Sequence, residues 1–487
     1  MSSLMGRSGA CCMALSALFG DQVAFPLSQA YNASLASYFS PQQSAISPLC
    51  IVSPATVGDV SATLRTLTAP TDGCHFALRS GGHSTLVGAS NIDAGVAVDL
   101  RRLNGIQLSP DRQTVRVGTG ATWGVVSSYL EPLNLAVAGA REPSVGVGGL
   151  TIGGGISWLG PRYGWTCDTV VNFEVVTANG TVINANRQEN PDLRWGLCGG
   201  GNSFGVVTRV DLRAFAQEGG QVWGGVAYYN VSNAEEEILA LADFSKPGTY
   251  DEYSSLIATF AYTGGAPTII NSMVYTKPEK DPPAFRALSA IPSLQSNTHI
   301  TNMTSLLALT ASMTAPGLRS QWATLTIIPT AAALRAAVQA WNASLASVQG
   351  TEDLTWALVT EPLPPGFYAQ HAADNALGLG GRKGRALMII LFNVTWRQLS
   401  DDGKIDAALK AWVESTTRLV GALGALDPYL HLNYAAAWQR NPIASYGEDS
   451  VRRLARVQRE YDSRGVFTKL SPGGFKLPAS ASEKGQR

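Results

Sequence analysis

The ten residues RSGGHSTLVG, Arg79 to Gly88, gather a basic side chain, three glycines and a histidine. Imidazole changes charge near neutral pH and serves as acid, base or nucleophile. Glycines around it leave backbone amides bare for a planar or phosphate-bearing ligand. A solitary histidine is more commonly a packed structural residue. Here it follows a β-like run, with Arg79 four residues back, so it is placed to meet a cofactor's edge while the turn's amides bind phosphate. A second run, VGVGGLTIGGG (Val145 to Gly155), holds six glycines in eleven residues, more than a tight turn between strands requires. It is not a dinucleotide fingerprint, because the third glycine would fall at Thr151, nor a P-loop, because no Gly-Lys-Ser/Thr follows. GNSFG, Gly201 to Gly205, has the spacing of a serine-hydrolase elbow, which needs a strand before it and a helix after it. RWGLCGG precedes it and β-branched VVTRV follows, the reverse order, so Ser203 reads as a turn residue.

The elements that must carry these loops follow from periodicity. SPATVGDVSATLRTL predicts a helix capped by Ser53, with Pro54 in its first turn. HFALRS and GVAVDL predict short strands flanking the first glycine loop. GIQLSPDRQTVRVG predicts a hairpin turning at Ser109–Arg112, and VVNFEVVTANGTVINA another at Asn179–Gly180. NPDLRWGL reads as a helix and FGVVTRVDLRAF as a strand. From about Gln217 glycine thins, and Ala/Leu/Thr-rich helical stretches such as AEEEILALADF and AAALRAAVQAWNASLASV appear, alongside strand-like runs such as ALMIILFNVTW. That change of texture marks a second domain.

The chain has 487 residues, 45% hydrophobic and 15% charged, enough for large cores. Lys+Arg and Asp+Glu both number 36, a balance that argues against nucleic acid and anionic membrane surfaces. No apolar run is long enough to span a membrane. The opening MSSLMGRSGACCMALSALFG resembles a weak signal peptide, but reads better as an ordinary first helix. The six cysteines form no CxxC pair and no zinc spacing with histidine, so no structural metal is expected. Six Asn-x-Ser/Thr sequons, at Asn32, Asn179, Asn230, Asn302, Asn342 and Asn393, lean towards the secretory pathway, where a bond such as Cys12–Cys50 persists.

Taken together and in order, FALRSGGHS, VAVDLRRLNGIQL, VRVGTGATWGVV, VGVGGLTIGGG, YGWTCDTVVNFEVVTANG, NPDLRWGLCGGGNSFGVVTRVDL, HLNYAAAWQ and SYGEDSVRRLARVQREYDSRGVFTKL resemble the FAD-linked oxidases of the berberine-bridge-enzyme-like group. The resemblance runs from Leu49 through most of the chain and is thin between Gln217 and Leu423. ACCMALSALFG, SYFSPQQSAISPLCIVSP and SPGGFKL are most similar to the fungal branch, many of whose members serve secondary metabolism. The fold implied is α+β. It comprises a two-part FAD-binding domain of the vanillyl-alcohol oxidase type (1–215), a substrate domain with an antiparallel sheet covered by helices (216–424), and a segment (425–487) returning to the FAD-binding domain.

By this resemblance His83 bonds covalently to the flavin 8α-methyl group, which makes the flavin its packing partner. Arg79, Ser80, Gly81, Gly82 and Ser84, with Val145, Gly146, Gly149, Gly153 and Gly155, would line the pyrophosphate and ring. Gly205 and Val207 would lie near the adenine half. Bicovalent relatives carry a second, cysteine tether just before the second glycine run; here REPSVG places Glu142 at that position, so one covalent link is expected and an oligosaccharide oxidase is disfavoured. Val145 falls at the position that gates oxygen, where a valine fits an oxidase. The activity implied is hydride transfer from a small-molecule C–H to flavin N5, with O2 regenerating the flavin and yielding H2O2, by a monomer. In YLHLNYAAAW, His431 takes a position held by tyrosine in relatives and is the expected base, with Tyr434 in reserve and Asn433 bonding the flavin. A strand residue facing solvent or packing is the alternative for His431. A sugar or alcohol oxidase and a redox-neutral flavoprotein cyclase remain as alternatives.

Overall fold

A computed structural model describes residues 2–69, 73–314, 316–382 and 384–477; the last ten residues of the C-terminal segment, 478–487, lie outside that set. Three sheets carry the architecture. The first has four strands in the order Val23–Ala24, Cys50–Val52, Val96–Asp99, Phe76–Arg79. Its last three strands are parallel, and helix Val57–Thr68 makes the crossover from Cys50–Val52 to Phe76–Arg79. A parallel pair needs such a connection. The helix begins three residues later than a Ser53 cap would place it. Asp59 lies three residues after Thr56, so Thr56 Oγ1 accepts from the Asp59 amide while the Asp59 carboxylate accepts from the Thr56 amide. That reciprocal box satisfies two amides at once and sets the start. The first helix, Ser2–Phe19, is an integral element: Cys11, Cys12 and Leu15 are buried in the core of this sheet.

A five-stranded antiparallel sheet follows, ordered Ile106–Leu108, Thr114–Gly118, Val206–Arg213, Val170–Val176, Val182–Asn186. Both expected hairpins are its outer pairs. At the second turn, Asn179 Oδ1 accepts from the Thr181 amide and from Thr177 Oγ1, and Gly180 takes φ +84°. Helix Pro191–Leu197 and strand Val206–Arg213 stand where the periodicity put them. Between them Ser203 is fully buried in an irregular bend, with no elbow. The second glycine run is not bare loop throughout. Val147–Ile152 forms a short helix, and only Gly153–Gly155 continue as irregular chain.

The third sheet has nine strands between Gln221 and Asp427, and every pairing is antiparallel. Its two faces differ in a way that period-2 alternation dictates. Ala258 and Phe260, Trp356 and Leu358, Ile390 and Phe392 point to one side, where helices Ala234–Phe244, Ala331–Ser344 and Asp402–Ala422 bury them. The alternate residues Ile257, Thr259, Ala261, Ala357, Val359, Glu361 and Leu391 point to the other side and line a cleft. The sheet thus packs its apolar face against helices and leaves its other, mixed face for the site.

Disulfides join Cys11 to Cys74, Cys12 to Cys50 and Cys167 to Cys198. The first two tie the N-terminal helix to the parallel sheet. Cys12–Cys50 closes a separation of 38 residues. Replacing both by serine is expected to cost about 3–4 kcal/mol through the freed unfolded chain, read as a lower denaturation midpoint under non-reducing conditions.

Candidate functional site

The loop after strand Phe76–Arg79 packs backbone to backbone on the second glycine run. A Cβ at Gly81 would stand 2.5 Å from the Gly146 amide nitrogen, and a Cβ at Gly146 only 2.2 Å from that of Gly81. Neither neighbour is a flexible side-chain tip, so both positions require glycine. Ser80 Oγ adds to the seam, donating to the Thr119 carbonyl and accepting from the Gly148 amide. Gly149 differs: nothing lies within 4 Å of its would-be Cβ. That open direction borders a cleft of about 690 Å³, within the range of roughly 300–1,000 Å³ usual for ligand sites.

Ser80, Gly81, Gly82, His83, Ser84, Val145, Gly146, Gly149, Gly205, Val207, His431, Asn433 and Tyr434 all line this one cleft. Three expected cofactor residues do not. The Arg79 guanidinium is buried away from it, donating to the Ser34 carbonyl and Ser37 Oγ, lying 3.7 Å over the Tyr38 ring and 3.9 Å from Asp99. Its charge is spent inside the parallel sheet. Gly153 is required by Asn433, whose Oδ1 would stand 2.1 Å from a Cβ there and whose Nδ2 donates to the Leu150 carbonyl. Gly155 packs under Leu150 and Thr166. Asn433 therefore clamps the glycine run as well as bordering the cleft. The expectation that His83 lacks a protein packing partner also fails, because its ring stacks on Phe39 with centroids 3.9 Å apart and planes 19° from parallel. Glu142 Oε2 approaches His83 Nε2 to 3.3 Å.

Across the cleft, Glu361 of the nine-stranded sheet meets Arg141 and Tyr434 in a group that no motif in the sequence revealed. Arg141 Nη2 donates to Glu361 Oε1 at 2.8 Å and to Tyr434 Oη at 2.8 Å, and Tyr434 Oη donates to Glu361 Oε1 at 3.2 Å. Glu361 ends a cleft-facing alternation, Ala357, Val359, Glu361, which is the one signal that marks it in the sequence. Burial and the Glu361 carboxylate hold the Tyr434 phenol well above its usual range. Burial lowers the affinity of Arg141 for its proton, but Glu361 and Tyr434 outweigh this and keep it a firm cation.

His431 does not lie on a strand but in an irregular turn. It stacks on Trp165, with Nδ1 3.3 Å from Tyr429 Oη. Burial, helped by the Arg141 charge, lowers its pKa from 6.5 to about 3. The expectation that this imidazole titrates near neutrality is overturned, since a cation here would be desolvated beside another cation. Of the sequon asparagines, Asn393 also faces the cleft, accepting from Trp322 Nε1 at 2.8 Å, so a glycan there is incompatible with the folded sheet.

Two outcomes are expected. Gly146→Ala forces a methyl into backbone and costs about 3 kcal/mol, the upper end for an overpacked site; flavin content per protein, read at 450 nm, falls with it. In unfolded chains the His431 imidazole gains its proton through pH 6.5, whereas in the folded protein it stays neutral to about 3. Its contribution to stability is therefore complete above 6.5 and lost as pH falls towards 3. His431→Asn is expected to make the acid decline of the melting temperature shallower over that window.

Comparison with known proteins places these observations. Residues 48–186 match the family described as "FAD binding domain". The FAD-dependent monooxygenase sdcF of Emericella nidulans is 35% identical over 475 residues, covering 96% of this chain and 98% of that protein. Oligopeptidase PhomG' of Diaporthe leptostromiformis is 39% identical over 473 residues, or 95% of this chain; the chain spans only 37% of that longer protein. The solved structure of Physcomitrella patens BBE-like 1 superposes with a TM-score of 0.77 at 18% identity, covering 96% of this chain and all of that one, which shows the shared fold. The chain belongs to the family of fungal FAD-dependent monooxygenases, FAD-binding oxidoreductases built on the berberine-bridge-enzyme-like fold.

Proposed function

We propose that this enzyme is an oxidase that takes a hydride from a C–H bond of a small molecule and holds its FAD through a single covalent bond at His83. The observation that carries this reading is one cleft bordered at the same time by His83, by the glycine seam, and by the Arg141–Glu361–Tyr434 group. The residues fit the cofactor: Gly149 leaves the cleft wall bare, and His83 and Gly205 border the same space. Bound there, FAD supplies a two-electron acceptor at N5 that dioxygen regenerates, with hydrogen peroxide as the product.

The protein's own groups handle the substrate and its proton. Ile257, Ala261, Ala357, Val359 and Leu391 line the cleft from the sheet with apolar side chains, suited to a mainly hydrophobic molecule. Tyr434 Oη already donates to Glu361, so it can accept a proton from a substrate hydroxyl while passing its own to the carboxylate. Arg141 holds both oxygens and offsets the charge on Glu361. His431 stays neutral and backs Tyr434 edge-on, with centroids 4.8 Å apart. The role is oxidation or oxidative cyclisation in fungal secondary metabolism.

Acid-denatured, digested protein is expected to keep its yellow colour on the peptide containing His83, and His83→Ala to release all flavin as FAD. With a substrate found by screening phenols and alcohols for oxygen uptake, Glu361→Gln and Tyr434→Phe are expected to slow anaerobic flavin reduction by about 10²–10⁴. The names of the relatives favour a monooxygenase as second reading; label from 18O2 in the product would establish it over the oxidase. Turnover with no oxygen uptake would instead reveal a redox-neutral cyclase.

A further inference from the structure

Glu142 stands out in the sequence only for lacking a thiol, yet the fold gives it four close partners. Its Oε2 accepts from the Ser144 amide at 2.8 Å and the Val145 amide at 2.9 Å, and Ser144 Oγ donates to both carboxylate oxygens. The same Oε2 faces His83 Nε2 at 3.3 Å, within ion-pair reach though off the line of a well-aligned hydrogen bond. Both side chains are largely buried and both line the cleft. Burial favours the protonated acid, but the contacts to His83 and Ser144 outweigh it, and Glu142 is held as a carboxylate. The Phe39 stack fixes the imidazole plane. Nδ1 of His83 has no hydrogen-bond partner among the described residues.

We infer that Glu142 is the positioning residue for covalent attachment of the flavin: its carboxylate keeps the proton of His83 on Nε2 and leaves the Nδ1 electron pair free to form the bond. This rests on the proposed tether at His83. Imidazole attacking through Nδ1 becomes a cation whose remaining N–H faces Glu142, so the carboxylate stabilises charge as it develops. The balance is simple. A C–H bond of the 8α-methyl group and the imidazole N–H are lost, and one C–N bond forms. The two electrons and two protons released pass to dioxygen, which becomes hydrogen peroxide. An anion anchored by two main-chain amides and a hydroxyl costs no reorganisation when that charge appears, whereas a flexible or solvated one would.

The test uses the full chain, purified from riboflavin-limited cells and then incubated with FAD in air. The readout is the rate at which flavin becomes resistant to acid precipitation, with intact mass as a check. Glu142→Gln keeps the shape and removes the charge; attachment at least tenfold slower than wild type is expected, with non-covalent FAD binding retained. Glu142→Ala is expected to be slower still and to be partly restored by added formate, a rescue that a purely structural role would not show. Should Glu142→Gln fail to bind FAD, Ser144→Ala, which frees the carboxylate from one tie, is expected to slow attachment by a few-fold. Wild-type attachment rates in Glu142→Gln, or in Ser144→Ala if that variant is needed, would overturn the inference, as would an absence of formate rescue. Wild-type protein that releases all its flavin in acid would instead sink the tether itself, a separate and distinguishable failure.

Discussion

The site depends on one contact between two stretches of bare main chain. Gly81 and Gly146 lie so close that neither can carry a methyl group. That seam fastens the loop leaving the parallel sheet to the run leading into helix Val147–Ile152, and with it sets His83 beside Glu142. Ser80 and Thr119 lock the seam from below. Without it the histidine, the carboxylate and the open wall at Gly149 would have no fixed relation to one another. Rigid elements on either side make the contact worth having, because a site is only as well positioned as the scaffold that holds its loops.

The second constraint is that the large sheet must satisfy two different neighbours. Its helix-covered face buries tryptophans, leucines and phenylalanines in the largest core. Its other face mixes alanine, threonine and valine with Ile257, Leu391 and Glu361, and borders the open volume of the cleft. The buried ion pair Arg141–Glu361 crosses that volume, linking the loop before the glycine run to the sheet. Burying such a pair is expensive unless each member is fully hydrogen-bonded. Tyr434 supplies the third partner, which ties the C-terminal segment into the same group.

The polar residues sort by what they cost to bury. Arg79 was expected beside the pyrophosphate because the family resemblance places it in the RSGGH loop. It is instead neutralised by Asp99 and capped by Tyr38, since a guanidinium pointing into the fold has to find its partners there. His431 is a proton carrier in isolation and a neutral packing ring in place, because burial and Arg141 both oppose its cation. Glu361 became visible as chemistry only when a strand's alternation placed it across from Arg141 and Tyr434.

Much of the architecture was legible in the chain itself. Alternation with turn residues marked the two hairpins, and Ala/Leu-rich stretches marked the helices that form at 234–244 and 331–344, because local steric and packing preferences act over a few residues and leave their pattern there. The glycine density announced backbone at close quarters, and the ordered segments identified the flavoprotein fold. Which backbone each glycine approaches was not legible, nor was the pairing of Glu142 with His83, 59 positions apart, or of Glu361 with Tyr434, 73 apart. Those depend on distances set by sheets and crossovers, and on burial, which changes a side chain's charge. The amino-acid order thus determined the elements and the chemical repertoire. Only the tertiary structure decided which groups meet and in what protonation state, because desolvation and contact are properties of the assembled fold.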